Sequence, residues 1–192
     1  YITKNTKIPT SKTKVMAFKG KSHIKTKIVL NNKPIEQVTH FKYLGCDISY
    51  RKDDDIQHKL NKFNYICGTI NRTLSNKTRK DTKLKLYKVM ATPQIMYGSE
   101  TWTDNRRQNS QIQAAEMRFL RRVKGCTRLD RYRNEDIRQE LNIYSLTQKI
   151  KKNKENWIDH IRRMPEERKT RQILEYAPKG RRDVGRSVKR WL

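Results

Sequence analysis

The sequence predicts an α+β chain: a small antiparallel hairpin or sheet at the N-terminus, then a mainly α-helical bundle and a basic tail. Three observations carry this. Apolar and polar residues alternate over the first quarter, and from Asp53 the apolar spacing lengthens to three or four. The third is charge: 46 Lys and Arg stand against 19 Asp and Glu in 192 residues, a formal net of +27. A hydrophobic content of 34% beside a charged content of 34% implies short amphipathic helices, each with a narrow apolar stripe and a wide basic face.

The elements follow in order. Residues 12–19 and 24–30 alternate Lys or Thr with apolar side chains, and Gly20-Lys21-Ser22-His23 lies between them, which predicts a hairpin. Asn31-Asn32-Lys33-Pro34 predicts a turn into a third strand, Val38 to Ile48. From Asp53 the period changes. Ile56, Leu60, Phe63, Cys67, Ile70 and Leu74 fall on one helical face. Asp53, Asp54 and Asp55 stand where the helix's unpaired N–H groups favour carboxylates by about 0.3–1 kcal/mol each. A second helix is expected from Asp81 to Ala91, ended by Pro93, and a short helix or turn from Gln94 to Trp102.

Residues 106–124 predict a strongly basic helix. Ile112, Ala115, Phe119 and Val123 form its apolar stripe, Arg118, Arg121 and Arg122 lie beside it, and Gly125 ends it. Asn134 is expected to cap a helix through Leu141. Ser145 is expected to cap another holding Ile150, Trp157, Ile158, Ile161 and Met164, interrupted by Pro165. After Tyr176 the composition shifts to Pro178, Gly180, Gly185 and clustered Arg and Lys, a flexible basic tail. Boundaries are thus expected near residues 50, 128 and 177.

Charge also bounds the partner. No Asp or Glu precedes Glu36, and a compact body of that net charge repels itself until phosphates replace its counterions. A polyanion is expected, with no membrane and no small-molecule substrate. Cys46, Cys67 and Cys126 are widely spaced and include no CxxC pair, so reduced thiols are expected rather than a disulfide framework or a zinc site. No apolar run approaches the roughly 18–20 residues that span a bilayer, and the N-terminus lacks a signal-peptide core. The expected location is nuclear, or a cytoplasmic ribonucleoprotein. The opening Tyr1 and the closing Trp191-Leu192 both look like cuts from something longer.

Residues that could carry catalysis are few. The one acidic run, Asp53-Asp54-Asp55, is accounted for by a helix N-terminus, and His23, His40, His58 and His160 lack ligand spacing, so no metal site is expected. The basic clusters carry more. Arg118, Arg121 and Arg122 run on into Lys124, Arg128, Arg131 and Arg133, with Phe119, Tyr132 and Tyr144 interleaved. Guanidinium groups fork onto phosphates and stack on bases, which suits a nucleic-acid groove. The alternative is a solvated helical face with local pairs between Glu116 and the arginines around it. Arg181, Arg182, Arg186, Lys189 and Arg190 extend the binding expectation into the tail, whereas Trp157, beside Ile158 and Ile161, is expected in the core.

An ordered series of short motifs then resembles a known family. Thr10 to Phe18 and His40-Phe41-Lys42-Tyr43-Leu44-Gly45 resemble the end of the palm of non-LTR (LINE-like) retrotransposon reverse transcriptases. Pro93-Gln94-Ile95-Met96-Tyr97-Gly98 through Trp102 resembles their thumb. Arg118 to Arg122, Asp130 to Asn134, Trp157 to Met164 and Gly180 to Trp191 continue the series in order. The resemblance implies that residues 1–50 are a residual palm hairpin and primer grip, 51–128 a thumb-like helical region, 129–177 a C-terminal helical region and 178–192 its basic tail.

By the same resemblance Lys12, with Lys14 beside it, is the candidate that protonates leaving pyrophosphate, and Phe41, Lys42, Tyr43, Leu44 and Gly45 hold the primer terminus. Both catalytic Asp motifs of that family are missing, and Tyr50-Arg51-Lys52-Asp53 misses the Tyr-x-Asp-Asp spacing by one residue. The chain is therefore not expected to be catalytically complete by itself. No cofactor is expected in it, Mg2+ belonging to the intact polymerase. The implied partners are RNA and DNA as a template–primer duplex, and the missing palm and fingers. Two other classes stay open: a stand-alone basic RNA- or DNA-binding module, such as a domesticated relic, and a structural protein whose charge serves RNA packing.

Overall fold

In a computed structural model of the protein, the described residues are 9, 12–17, 25–30, 32–49, 54–74, 78–103 and 105–176. The chain is α+β, short strands followed by helices, and divides into two compact units, Tyr1–His58 and Lys59–Leu192.

Among its described residues the first unit holds three strand pairs. β2 (Val29–Leu30) and β3 (Lys33–Pro34) are antiparallel, as are β5 (His40–Tyr43) and β6 (Cys46–Ser49). β1 (Lys14–Val15) runs parallel to β4 (Glu36–Gln37), which corrects the expected pairing of residues 12–19 with 24–30. Its cause is local: Lys14 ion-pairs with Glu36 directly opposite, and the Val38 N–H donates to Val15 O at 2.9 Å. Residues 18–24 lie outside the described residues.

The single strand expected from Val38 to Ile48 is instead the β5–β6 hairpin. Leu44 (φ 47°) and Gly45 (φ 79°) both take the left-handed conformation of a two-residue type I′ turn. Glycine adopts it freely, but an L-leucine is sterically strained there. Among the described residues 9–49 none is buried, and Phe41, Tyr43, Leu44 and Ile48 expose apolar surface along this hairpin.

α1 (Asp54–Thr73) begins near the predicted acidic run, and the Asp55 carboxylate accepts the Asp47 N–H at 3.0 Å. Ile56, Leu60, Phe63, Cys67 and Ile70 are its buried stripe, and burial pushes the Cys67 thiol up to about 12. Asp53 lies outside the described residues.

The second helix does not stop before Pro93. α2 (Lys80–Leu86) widens into a π-helical turn, Tyr87–Ala91, and continues as α3 (Thr92–Met96) with Pro93 in its first turn. A proline ring collides with the carbonyl four residues back, and one extra residue per turn relieves that collision. The Thr92 N–H and hydroxyl both donate to Tyr87 O, the hydroxyl at 3.2 Å. A 3-10 turn, Ser99–Thr101, follows.

α4 (Arg106–Lys124) has the predicted bounds. Asn105 caps its start by accepting the Arg107 N–H at 3.0 Å, and Gly125 ends it at φ 86°. α5 (Asn134–Glu140), α6 (Leu146–Arg162) and α7 (Lys169–Glu175) complete the unit. Asn134 is the first residue of α5, not its cap, because its side chain accepts from Arg121 Nη2 at 2.6 Å. α6 ends before Met164, and Trp157 is 37% exposed rather than in the core. Leu146 and Ile161 are the buried apolar residues of α6, and Trp157, one turn before Ile161 on the same face, is only partly covered.

The core is an aromatic column and a buried charge. The Tyr87 ring stacks on Phe119 with centroids 4.9 Å apart, and Phe63 meets its edge at 6.0 Å. At its end lies Glu116, with a side chain 0% exposed, so the alternative of surface pairs between Glu116 and the neighbouring arginines does not hold. Glu116 Oε2 accepts from Arg138 Nη2 at 2.7 Å and Nε at 3.2 Å. Its Oε1 accepts from the Leu146 N–H at 3.0 Å and, at 3.4 Å, from the Tyr87 hydroxyl. Ser145 holds the N-cap position of α6 without a capping bond, and the Glu116 carboxylate satisfies the helix's first N–H in its place. Burial first, then the Glu116 charge, push the Tyr87 phenol well above its ordinary range.

Substitutions at the buried pair and at the hairpin turn have defined outcomes. Arg138→Met leaves the Glu116 charge buried without its cation and should cost about 3–5 kcal/mol in urea unfolding at neutral pH. Adding Glu116→Leu should restore most of that loss, whereas a cost below about 1 kcal/mol for the single change would show the pair to be dispensable. Leu44→Asn should hold or raise the thermal midpoint, since Asn tolerates the left-handed turn and Leu44 is 72% exposed. A clear drop in midpoint would contradict the turn assignment.

Candidate nucleic-acid interface

Packing of Glu116 decides where the basic face of α4 points. At 3.6 residues per turn, Arg118 and Arg122 lie about 200° and 240° around the helix from Glu116, and both are exposed. Arg121, at about 140°, is half-buried and reaches Asn134 at the start of α5. Its Nε is buried without an acceptor among the described residues.

The chain reverses at Gly125. The N–H groups of Gly125 and Cys126 both donate to Arg121 O at 2.9 Å, closing the helix end and returning the next residues beside its last turns. Asp130 holds this return: its Oδ2 accepts from the Thr127 N–H at 2.6 Å and the Thr127 hydroxyl at 2.9 Å. Those bonds hold the Asp130 carboxyl below the usual aspartate range. The Leu129 N–H donates to Thr127 Oγ1 at 3.2 Å, and the Arg131 N–H to Arg128 O at 3.2 Å. Between helix end and loop lies an open pocket of about 450 Å³ lined by Arg118, Arg121, Arg122, Cys126, Thr127 and Arg128.

Other cations of the same run are engaged internally. Lys124 pairs with Glu140 Oε2 at 2.6 Å and sits 3.9 Å from the Tyr132 ring centroid. Its hydrogen bond to Glu140 raises the Lys124 ammonium and lowers the Glu140 carboxyl from their ordinary values. Arg138 is held by Glu116. By contrast, Arg118, Arg122 and Arg128 have no carboxylate partner among the described residues.

The remaining candidates lie apart from this pocket. Arg131 (φ 54°) and Arg133, the residue before α5, are exposed on the following loop and do not line it. Lys12 is exposed, and Lys14 is engaged by Glu36. Phe41, Lys42 and Tyr43 lie on β5, with Leu44 and Gly45 at its turn. Arg181, Arg182, Arg186, Lys189 and Arg190 lie outside the described residues. Sequence reasoning missed Cys126, Thr127 and Asp130, although Thr127 three residues before Asp130 is a local hydroxyl–carboxylate turn signal.

The chain is thus an α+β protein whose second unit ends a basic helix in an arginine-lined pocket. No family model and no solved structure matches it. It is 26% identical over 165 residues to an uncharacterised transposon-derived protein of Caenorhabditis elegans, a match covering 82% of this chain. The chain spans 59% of that relative's length. The likeness fits a transposable-element origin.

Because the Asp130 carboxyl titrates below its unfolded value, its contribution to the loop is present above the ordinary aspartate pKa, about 3.9, and is lost as pH falls through the lower folded value. Protection of the Thr127 amide, relative to its intrinsic exchange rate at each pH, should therefore hold at pH 5 and fall only in stronger acid, and Asp130→Asn should lower it at neutral pH. Unchanged exchange in that variant would remove Asp130 from its holding role.

Proposed function

We propose that this chain is the end of the palm, primer grip, thumb and C-terminal region of a non-LTR retrotransposon reverse transcriptase, and that its part in the reaction is to bind and position the template–primer duplex. One observation carries the reading: Arg118, Arg122 and Arg128 converge on one pocket with no acidic partner among the described residues, Arg121 completing its wall. Clustered guanidinium groups without counter-charges suit phosphate oxygens, and backbone contacts of that kind position a duplex without reading its sequence. The transposon-derived relative supports the origin, and the exposed Phe41, Tyr43 and Leu44 are what a hairpin completed by further palm and a primer terminus would present.

Positioning is the mechanism. Holding the primer end in place converts a bimolecular encounter into an ordered one. In the intact polymerase the aspartates that hold Mg2+ supply phosphoryl-transfer chemistry, and this chain's residues grip the backbone and orient the strand. Lys12 stands in this reading as the proton donor to pyrophosphate, exposed and close in sequence to the engaged Lys14.

The test is equilibrium binding to an RNA–DNA hybrid across a salt series. Log affinity against log salt should fall with a slope of about −4 or steeper, as neutralising ~5 or more phosphates requires. Joint replacement of Arg118, Arg122 and Arg128 by Ala should weaken binding and flatten the slope by roughly 0.9 for each phosphate no longer neutralised, with helical circular dichroism intact. Salt-independent affinity, or a variant that binds as the parent does, would contradict the proposal.

A further inference from the structure

We propose that the pocket at the end of α4 takes a dianionic phosphate, the phosphomonoester terminus of a nucleic-acid strand, in preference to the singly charged diesters of a continuous backbone. This rests on the nucleic-acid reading above and says which group enters the pocket. The first argument is shape. Arg118, Arg121 and Arg122 form one wall and Cys126, Thr127 and Arg128 the other, around about 450 Å³. That lies within the roughly 300–1,000 Å³ of small-ligand pockets, enough for a terminal nucleotide.

Charge is the second argument. Four guanidinium groups line the pocket, and two of the nearby acids are neutralised elsewhere, Glu116 by Arg138 and Glu140 by Lys124. Arg121 is bonded to the neutral amide of Asn134, so it keeps its full charge. A diester brings one negative charge, but a terminal monoester brings about 1.5–2 with three strong acceptor oxygens, the better match to clustered forks. Two features oppose an anion here: the C-terminal end of the α4 dipole, equivalent to about −0.5 charge, and the Asp130 carboxylate, which keeps its charge because its partner Thr127 is neutral. Four positive charges outweigh the two together, and Arg121 O is already occupied by two N–H donors.

The experiment compares one single-stranded oligonucleotide carrying a 5′-phosphate, a 3′-phosphate or hydroxyls at both ends, with a nucleoside monophosphate as competitor. At pH 7.5 a phosphorylated end should bind about tenfold tighter than the hydroxyl form, the scale of one or two added charge-assisted bonds. Since the second phosphate ionisation lies near pH 6, the advantage should shrink at pH 5. Arg122→Ala with Arg128→Ala, checked for helix content, should bind all three forms alike. Equal binding of the three by the parent protein, with steep salt dependence retained, overturns this inference and leaves the proposed function standing. Failure to bind any of them or the hybrid overturns both. Competition by the monophosphate at the oligonucleotide's own concentration overturns the strand-end assignment in favour of a mononucleotide site.

Discussion

A single carboxylate organises the helical unit. Glu116 sits at full burial on α4 and is reached by Arg138 from α5, by the first N–H of α6 and by the hydroxyl of Tyr87 from the π-helical turn. Removing a carboxylate from water costs several kcal/mol, so an arrangement that left this oxygen pair unmet would be strongly disfavoured. The pair constrains more than it stabilises. Apolar residues of equal volume would serve stability as well, but they would not demand that a guanidinium, a helix N-terminus and a phenol meet at one point.

That demand reaches the surface by rotation alone. With Glu116 turned inward, Arg118 and Arg122 must face solvent, and Gly125 then folds Arg128 back beside them. Lys124 and Arg138, from the same basic stretch, instead neutralise acids. The chain therefore divides its cations into those that pair with acids between helices and those without a carboxylate partner among the described residues.

How much of this is legible in the sequence follows from how local each feature is. The bounds of α4 can be read because a 3.6-residue stripe and a terminal glycine are properties of that segment alone. The α+β order is legible for the same reason. The role of Glu116 is not, since its arginine partner lies 22 residues away while three others lie within six, and only packing says which is used. Pro93 reads as a stop because a π-helical turn that absorbs a proline leaves no mark in the spacing of apolar residues. Trp157 misleads because it does share the face of Ile161, one turn on, and only packing shows that this part of the stripe is left partly uncovered. The arginine pocket is half visible: the spacing of Arg118, Arg121 and Arg122 marks a shared face, but the loop bringing Thr127 and Arg128 back to it depends on one αL glycine and one aspartate turn.

The most direct measurement of the central claim is an amide-resolved NMR titration of the isotopically labelled chain with a short RNA–DNA hybrid. The account predicts the largest shifts at Arg118, Arg121, Arg122, Thr127 and Arg128, with the amides around Tyr87 and Glu116 nearly unmoved. Shifts spread evenly over every basic residue, or absent from the end of α4, would contradict it.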